Sequence, residues 1–361
     1  MTDHTLDPVA LDPWVASSLL QKAIRRGETD LALLAAREFQ RHRGKGIWRR
    51  LVNIAFEDVG IADPDLVGEI TFLAYDARAR ACLGPDTELV AGFCRRLAQT
   101  PKDRSTDYLV CTAIKSEAGL AEQQALTRTP VSQLVAIAAN PDQPLLKRAA
   151  AGLLSCTKDD AFVPGDALPT LLAALSAKFP CALYDAVEMA AKRGLGSYIL
   201  MAPLLWSAMR NEGGSQGVAV QSVPPGETAR GVPLYALDKH TAVGKRAIIQ
   251  FAQQNLEMVE VLKQVPPDRR RDVALMAAFY ADAVPISRRF LWGQSFELER
   301  LGFAADMGKA GCPSEAQFAI LACVRTNLPD LNRMRRAALG RDHKEHSLQS
   351  IAQTAEPGSR P

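Results

Sequence analysis

The sequence predicts an all-α protein, a multi-helix bundle or irregular helical array, on three observations. Apolar residues recur at helical spacing along almost the whole chain, Ala, Leu, Arg, Glu and Gln dominate the periodic segments, and short corners of Pro, Gly or Asp separate them. With 361 residues, 47% hydrophobic and only 6% aromatic, the chain can bury a large core. Strand signals are few. No motif recurs at a period of about 30–50 residues, which disfavours a regular solenoid.

Residues 1–13 read as a flexible N-terminus and 14–210 as a helical domain. In Ala16 to Arg26 the apolar Leu19, Leu20, Ala23 and Ile24 form one stripe, while Lys22, Arg25 and Arg26 fall together on another at i, i+3 and i+4, predicting an exposed basic ridge. Gly27 and Glu28 make a corner to a second helix, Glu28 to Phe39. Further helices are predicted near 46–58, 64–80, 86–99, 104–118, 130–139, 143–155, 166–178, 181–193 and 198–210. The clearest break is 211–237, a loop or linker holding Gly213-Gly214, Pro224-Pro225-Gly226 and Gly231-Val232-Pro233, with Val218-Ala219-Val220 as a possible strand. A second helical part, 238–340, follows with helices near 239–263, 268–282 and 285–305, then a capping-box pattern at Ser314 to Gln317. The polar stretch 341–361 reads as a disordered tail.

The 43 Lys and Arg against 40 Asp and Glu leave a net charge of +3, so bulk charge does not hold this chain to nucleic acid and any such contact is a local patch. Seven cysteines, none as C-x-x-C or at zinc-ligand spacing with histidine, read as small buried hydrophobes in a reducing cytoplasm, with no disulfide or metal role. The N-terminus lacks a signal-peptide profile, and the longest uncharged run, Gly194 to Met209, falls short of the roughly 20 residues of a membrane span.

A P-loop requires G-x-x-x-x-G-K-[ST] between a strand and a helix, so that backbone amides wrap the phosphates. Gly44-Lys45-Gly46 and Gly244-Lys245-Arg246 lack the first glycine and the hydroxyl; G-x-G-x-x-G, G-x-S-x-G and H-E-x-x-H are absent as well, and no cofactor is implied. The densest charge lies from Arg37 to Arg50, where Arg37, Arg41, Arg43, Lys45, Arg49 and Arg50 oppose only Glu38; it reads as a phosphate grip or as an ordinary solvated corner. In Ile47 to Asp58, Trp48 belongs to a wide apolar face, while Arg49, Asn53 and Glu57 stack at i, i+4 and i+8. Glu57 is expected to pair with arginine, Asp58 and Asp63 to cap or turn the chain, and Gly60 to act as a left-handed stop. Asp238-Lys239-His240-Thr241, with Lys245 and Arg246, forms a second candidate anion site near a helix start, or else Asp238 is simply a cap.

Several blocks carry a resemblance: Ser18-Leu19-Leu20-Gln21-Lys22-Ala23-Ile24-Arg25, Asp30-Leu31-Ala32-Leu33, Arg49-Arg50-Leu51-Val52, and Ala55 through Pro64 with Glu57-Asp58-Val59-Gly60 inside it. In this order and spacing, residues 14–70 resemble the C-terminal helical region of the replication-associated recombination protein A ATPases, also called MgsA, which include the eukaryotic Werner helicase-interacting protein and are related to clamp loaders. The resemblance implies a clamp-loader-collar-like arrangement in the N-terminal part, assembly into a homo-oligomer, and a region standing without its ATPase motor. It covers roughly a fifth of the chain; Val232-Pro233-Leu234 and Thr241 echo the family's late Val-Pro segment, whereas Tyr235 to His240 depart from it.

The expectation is a non-catalytic cytoplasmic protein that self-associates or docks to a replication or repair component or a separate ATPase, with a DNA contact through Arg37 to Arg50. Two alternatives remain open: an enzyme acting on a nucleotide or nucleic-acid phosphate through Asp238, Lys239 and His240 with Glu57 or Asp58, and a helical-repeat scaffold that binds a protein.

Overall fold

A computed structural model describes residues 11–340, and the tail beginning at 341 lies outside them. Among the described residues the chain is mostly helical, 71% helix and 5% strand. Its first stretch comprises α1 (Pro13–Arg26), α2 (Thr29–Arg43), α3 (Gly46–Ile54), a π-turn (Ala55–Val59), α4 (Pro64–Tyr75), α5 (Ala77–Leu83), α6 (Asp86–Gln99) and α7 (Ser105–Lys115). Next come α8 (Glu117–Leu126), α9 (Val131–Ala139), α10 (Leu145–Cys156), the hairpin β1 (Thr157–Lys158) and β2 (Ala161–Phe162), α11 (Ala167–Ser176), α12 (Leu183–Lys192) and α13 (Met201–Glu212). Then follow β3 (Gly217–Val220), β4 (Thr228–Ala229), β5 (Val232–Pro233), α14 (Ala242–Gln254), α15 (Leu256–Val261), α16 (Arg270–Ala278), a second π-turn (Phe279–Ala283), β6 (Arg288–Leu291), α17 (Ser295–Lys309) and α18 (Gln317–Thr326). Residues 328–340 are again helical.

The chain divides into two units that are discontinuous in sequence: one contains residues up to Lys22, Pro224–Pro285 and the stretch from Gly311, the other Ala23–Val223 and Ile286–Ala310. The larger unit recruits Ile286–Ala310 because β6 pairs antiparallel with β3 in the register Gly217 with Leu291 through Val220 with Arg288, and because α17 packs on α7. Gly302 permits that approach, since a Cβ there would sit 2.8 Å from the Tyr108 side chain. The 211–237 stretch is therefore not a bare linker; it carries β3, β4 and β5, and the last two form their own antiparallel pair.

Several boundaries differ from expectation for local reasons. The helix expected over 64–80 breaks at Asp76, whose carboxylate accepts from Arg78 and Ala79 backbone N–H groups and so starts α5. Ser116 does the same for α8, a helix the periodicity missed, by accepting from Gly119 N–H. Residues 288–291 form a strand inside the expected 285–305 helix. The capping box at Ser314 does not form: α18 starts after Ala316, and the Ser314 hydroxyl donates to Glu315 instead.

Candidate functional site

α1 does not present a basic ridge. Every residue from Ser18 to Arg26 is buried, including Lys22, Arg25 and Arg26, because each cation meets a carboxylate. In the larger unit Arg25 Nε lies 2.5 Å from Asp58 Oδ1, and Arg104 Nε lies 3.1 Å from the same oxygen. Arg104 also donates to Asp107 at 2.5 Å, and Arg26 pairs with Glu28 at 3.0 Å. Asp58 is fully buried. Asp58, expected to cap or turn the chain, is thus an arginine-paired group in the interior.

The π-turn supports this arrangement. It closes α3 with residues 55–59, and Gly60 follows at φ +50°, where a Cβ would come within 3.1 Å of Thr106 Oγ1. Gly60 does end the helix as expected. Asp63 caps α4 by accepting from Leu66 N–H at 3.0 Å, also as expected. Trp48 is buried, donates to Asp86 at 3.1 Å and carries the Arg80 guanidinium 4.8 Å from its ring centroid.

A second polar group stands on the outer side of α3. Arg49 is exposed but spans to the C-terminal end of α12, donating to the carbonyls of Arg193 and Gly194 at 3.2 and 2.6 Å, where the helix dipole favours a cation. Arg50 is half-buried with its Nε fully enclosed; burial lowers its pKa, and the Glu57 and Asp58 charges oppose that shift. Asn53 Oδ1, Tyr75 Oη and Tyr198 Oη are buried without a hydrogen-bond partner.

The loop between α6 and α7 contributes three consecutive buried charges, Lys102, Asp103 and Arg104, which sequence reading passed over. The Lys102 backbone is fixed to β6, donating to the Arg288 carbonyl at 2.8 Å and accepting from Phe290 N–H at 2.9 Å. Its ammonium donates to the carbonyls of Ala98, at 3.1 Å, and Thr100. Burial pushes the Lys102 pKa down to about 7, with the Asp58 charge opposing. Asp103 accepts from Ser105 N–H, the Ser105 hydroxyl and Trp292 Nε1 at 2.9–3.1 Å, and burial still pushes it up to about 6.

These shifts fix a pH dependence. Folded Asp103 holds its proton more tightly than the unfolded chain, so its contribution declines as pH rises from the ordinary 3.8 to about 6. Folded Lys102 releases its proton more readily, so its contribution improves from about pH 7 towards the ordinary 10.5. Thermal unfolding followed from about pH 6.5 to about pH 9 should show Tm rising, and Lys102→Met should flatten that rise. An unchanged slope in the variant would refute the assignment.

The exposed remainder of the basic segment is a corner between α2 and α3. Arg41, Arg43 and Lys45 are exposed there, around Gly44 at φ +51°, and Arg37 is exposed farther back along α2, in a cleft it shares with Glu88 and Arg95. Arg41 is countered by Glu38 at 2.7 Å.

In the smaller unit Asp238 is buried and pairs with Lys22 at 2.9 Å. Its Oδ1 accepts from His240 N–H at 3.0 Å. Burial raises the Asp238 pKa, but Lys22 and His240 outweigh it and hold the carboxyl below its ordinary value. Asp238 is not the cap: Thr241 starts α14 by accepting from Gly244 N–H at 3.1 Å. Gly244 is demanded there, since a Cβ would fall 2.2 Å from the Asp238 carbonyl oxygen. Lys239 and His240 both turn to Phe279, the ammonium 4.3 Å and the imidazole 5.5 Å from its ring centroid. Lys245 and Arg246 are exposed near the start of α14.

No family model, no curated protein and no solved structure matches this chain. No described helix is long and apolar enough to cross a membrane.

Proposed function

We propose that this chain is a helical self-association and docking protein related to the C-terminal region of the replication-associated recombination protein A ATPases, and that it contacts DNA phosphates through the corner between α2 and α3. The kinship rests on the ordered blocks in residues 14–70. The DNA contact rests on one observation: Arg43 and Lys45 are exposed together at a tight turn, with Arg37 exposed farther back along α2, whereas Lys22, Arg25 and Arg26 are buried and Arg50 is half-buried. The contact surface is therefore smaller than the full basic segment. Lys245 and Arg246 remain exposed candidates in the smaller unit.

Fluorescence anisotropy with single-stranded and forked DNA tests this reading. Arg43→Glu with Lys45→Glu should weaken binding about tenfold or more at low salt and reduce the salt slope by about two, because each phosphate contact releases roughly one counterion. Wild-type protein without salt-sensitive DNA binding, or an unaffected double variant, would refute it.

The enzymatic alternative draws on groups already engaged. Asp58 neutralises two arginines and Asp238 neutralises Lys22, so neither carboxylate is poised as a base.

A further inference from the structure

In the larger unit α2 packs on α6, and between them lies a cleft of about 630 Å³. It runs from Leu33 to Gln40 on one helix and from Thr87 to Arg95 on the other, two turns of each, or about 11 Å at roughly 1.5 Å rise per residue. Its lining is apolar at Ala36 and Val90, which are buried, and at Leu33 and Ala91, which are half-buried. Arg37, Glu88 and Arg95 line the same cleft and are exposed.

These three charged side chains are not engaged. Among the described residues they make no ion pair and no side-chain hydrogen bond, whereas their neighbours do: Arg41 holds Glu38 and Arg96 holds Glu69, each at 2.7 Å. Two uncompensated guanidiniums against one carboxylate leave the cleft positive. Glu88 lies in the first turn of α6, where the helix dipole stabilises an acid in its own right.

Shape and charge together select the occupant. A bare anion would leave the apolar lining against water, so the cleft calls for an apolar body with acids beside it. A groove two turns long between two helices, with Ala36 and Ala91 letting a third backbone come close, fits an amphipathic helix. The apolar stripe of such a helix covers Ala36 and Val90, and acids on its flanks reach Arg37 and Arg95 through charge-assisted hydrogen bonds.

We propose that the cleft between α2 and α6 docks an amphipathic helix of a partner protein, one whose apolar stripe is flanked by Asp or Glu. This docking mode rests on the docking half of the proposed function. Arg37 also serves the DNA reading there, whereas Arg95 does not, so Arg95 separates the two.

The test is fluorescence anisotropy of a labelled peptide with the full chain. The probe is a synthetic helix of about four turns with Leu at i, i+3, i+4 and i+7 and Glu on both flanks; one control carries Lys for every Glu, another Ser for every Leu. The acidic peptide should bind saturably, and both controls about tenfold or more weakly. Arg95→Glu, an exposed change, should weaken the acidic peptide about tenfold or more, and Arg37→Glu with Arg95→Glu should bind the Lys peptide in its place. Arg43→Glu with Lys45→Glu should leave peptide binding unchanged. Absence of saturable binding by the acidic peptide, or equal binding by the Arg95→Glu variant, would overturn the proposal; an oligomer that still binds DNA would then leave the proposed function standing without this cleft. Loss of oligonucleotide binding rather than peptide binding in Arg95→Glu would assign the cleft to nucleic acid and overturn it equally.

Discussion

Asp58→Ala is expected to destabilise the protein by about 3–5 kcal/mol, a large share of the roughly 5–15 kcal/mol that holds a typical domain folded. The carboxylate is fully enclosed and sits within ion-pair distance of Arg25 and Arg104, both of which are themselves buried. Its removal leaves two guanidiniums of like charge facing each other without water to screen them. Asp58→Asn keeps the shape but strips the charge, and should fall in the same range. Chemical denaturation measures the loss as a lower midpoint at unchanged m-value. A loss under about 1 kcal/mol would show that the pairing with Arg25 and Arg104 does not hold this unit together.

Arg335→Ala should produce a comparable loss in the smaller unit. Arg335 is fully buried, and its two terminal nitrogens reach both oxygens of Asp282 at 2.5 and 3.2 Å. A further bond of 3.0 Å runs to Asn332 Oδ1. Asp282 belongs to the second π-turn, so the single change strands a carboxylate in the interior and releases the turn that carries it. The double change Arg335→Met with Asp282→Leu should recover much of the lost stability, because apolar residues of similar size replace a buried pair at little or no net cost. A double variant as unstable as the single one would place the loss in packing rather than in charge.

Much of the helical frame was legible, and its limits have physical causes. α6 was read at its observed bounds, 86–99, because a Pro-Asp start and an uninterrupted apolar stripe fix both ends. Short strands such as β6 escaped, since four residues held by a distant partner carry no local period. The charge network was harder still. Sequence periodicity placed Lys22, Arg25 and Arg26 on a face opposite the leucines, and an exposed ridge follows only where that face meets water. Here the opposite face is also enclosed. One signal was available: Asp58 stands four residues after Ile54 and seven after Leu51, on the apolar stripe itself, and a carboxylate there needs a buried cation. The Tyr75 and Tyr198 hydroxyls are far apart in sequence and gave no such warning.

The same distinction separates structural from functional arginines. Arg25, Arg104 and Arg335 are consumed by the interior, and Arg49 is tied to the end of α12. Arg37, Arg43 and Lys45 remain at the surface, where the proposed contact with DNA phosphates would form.

Light scattering of the full chain at two salt concentrations, with and without a forked or single-stranded oligonucleotide, decides between self-association with DNA contact and a chain that does neither. The expected result is a stable dimer or tetramer at both salt concentrations that shifts onto DNA at low salt and releases it at high salt. A monomer that ignores DNA at both salt concentrations would contradict it.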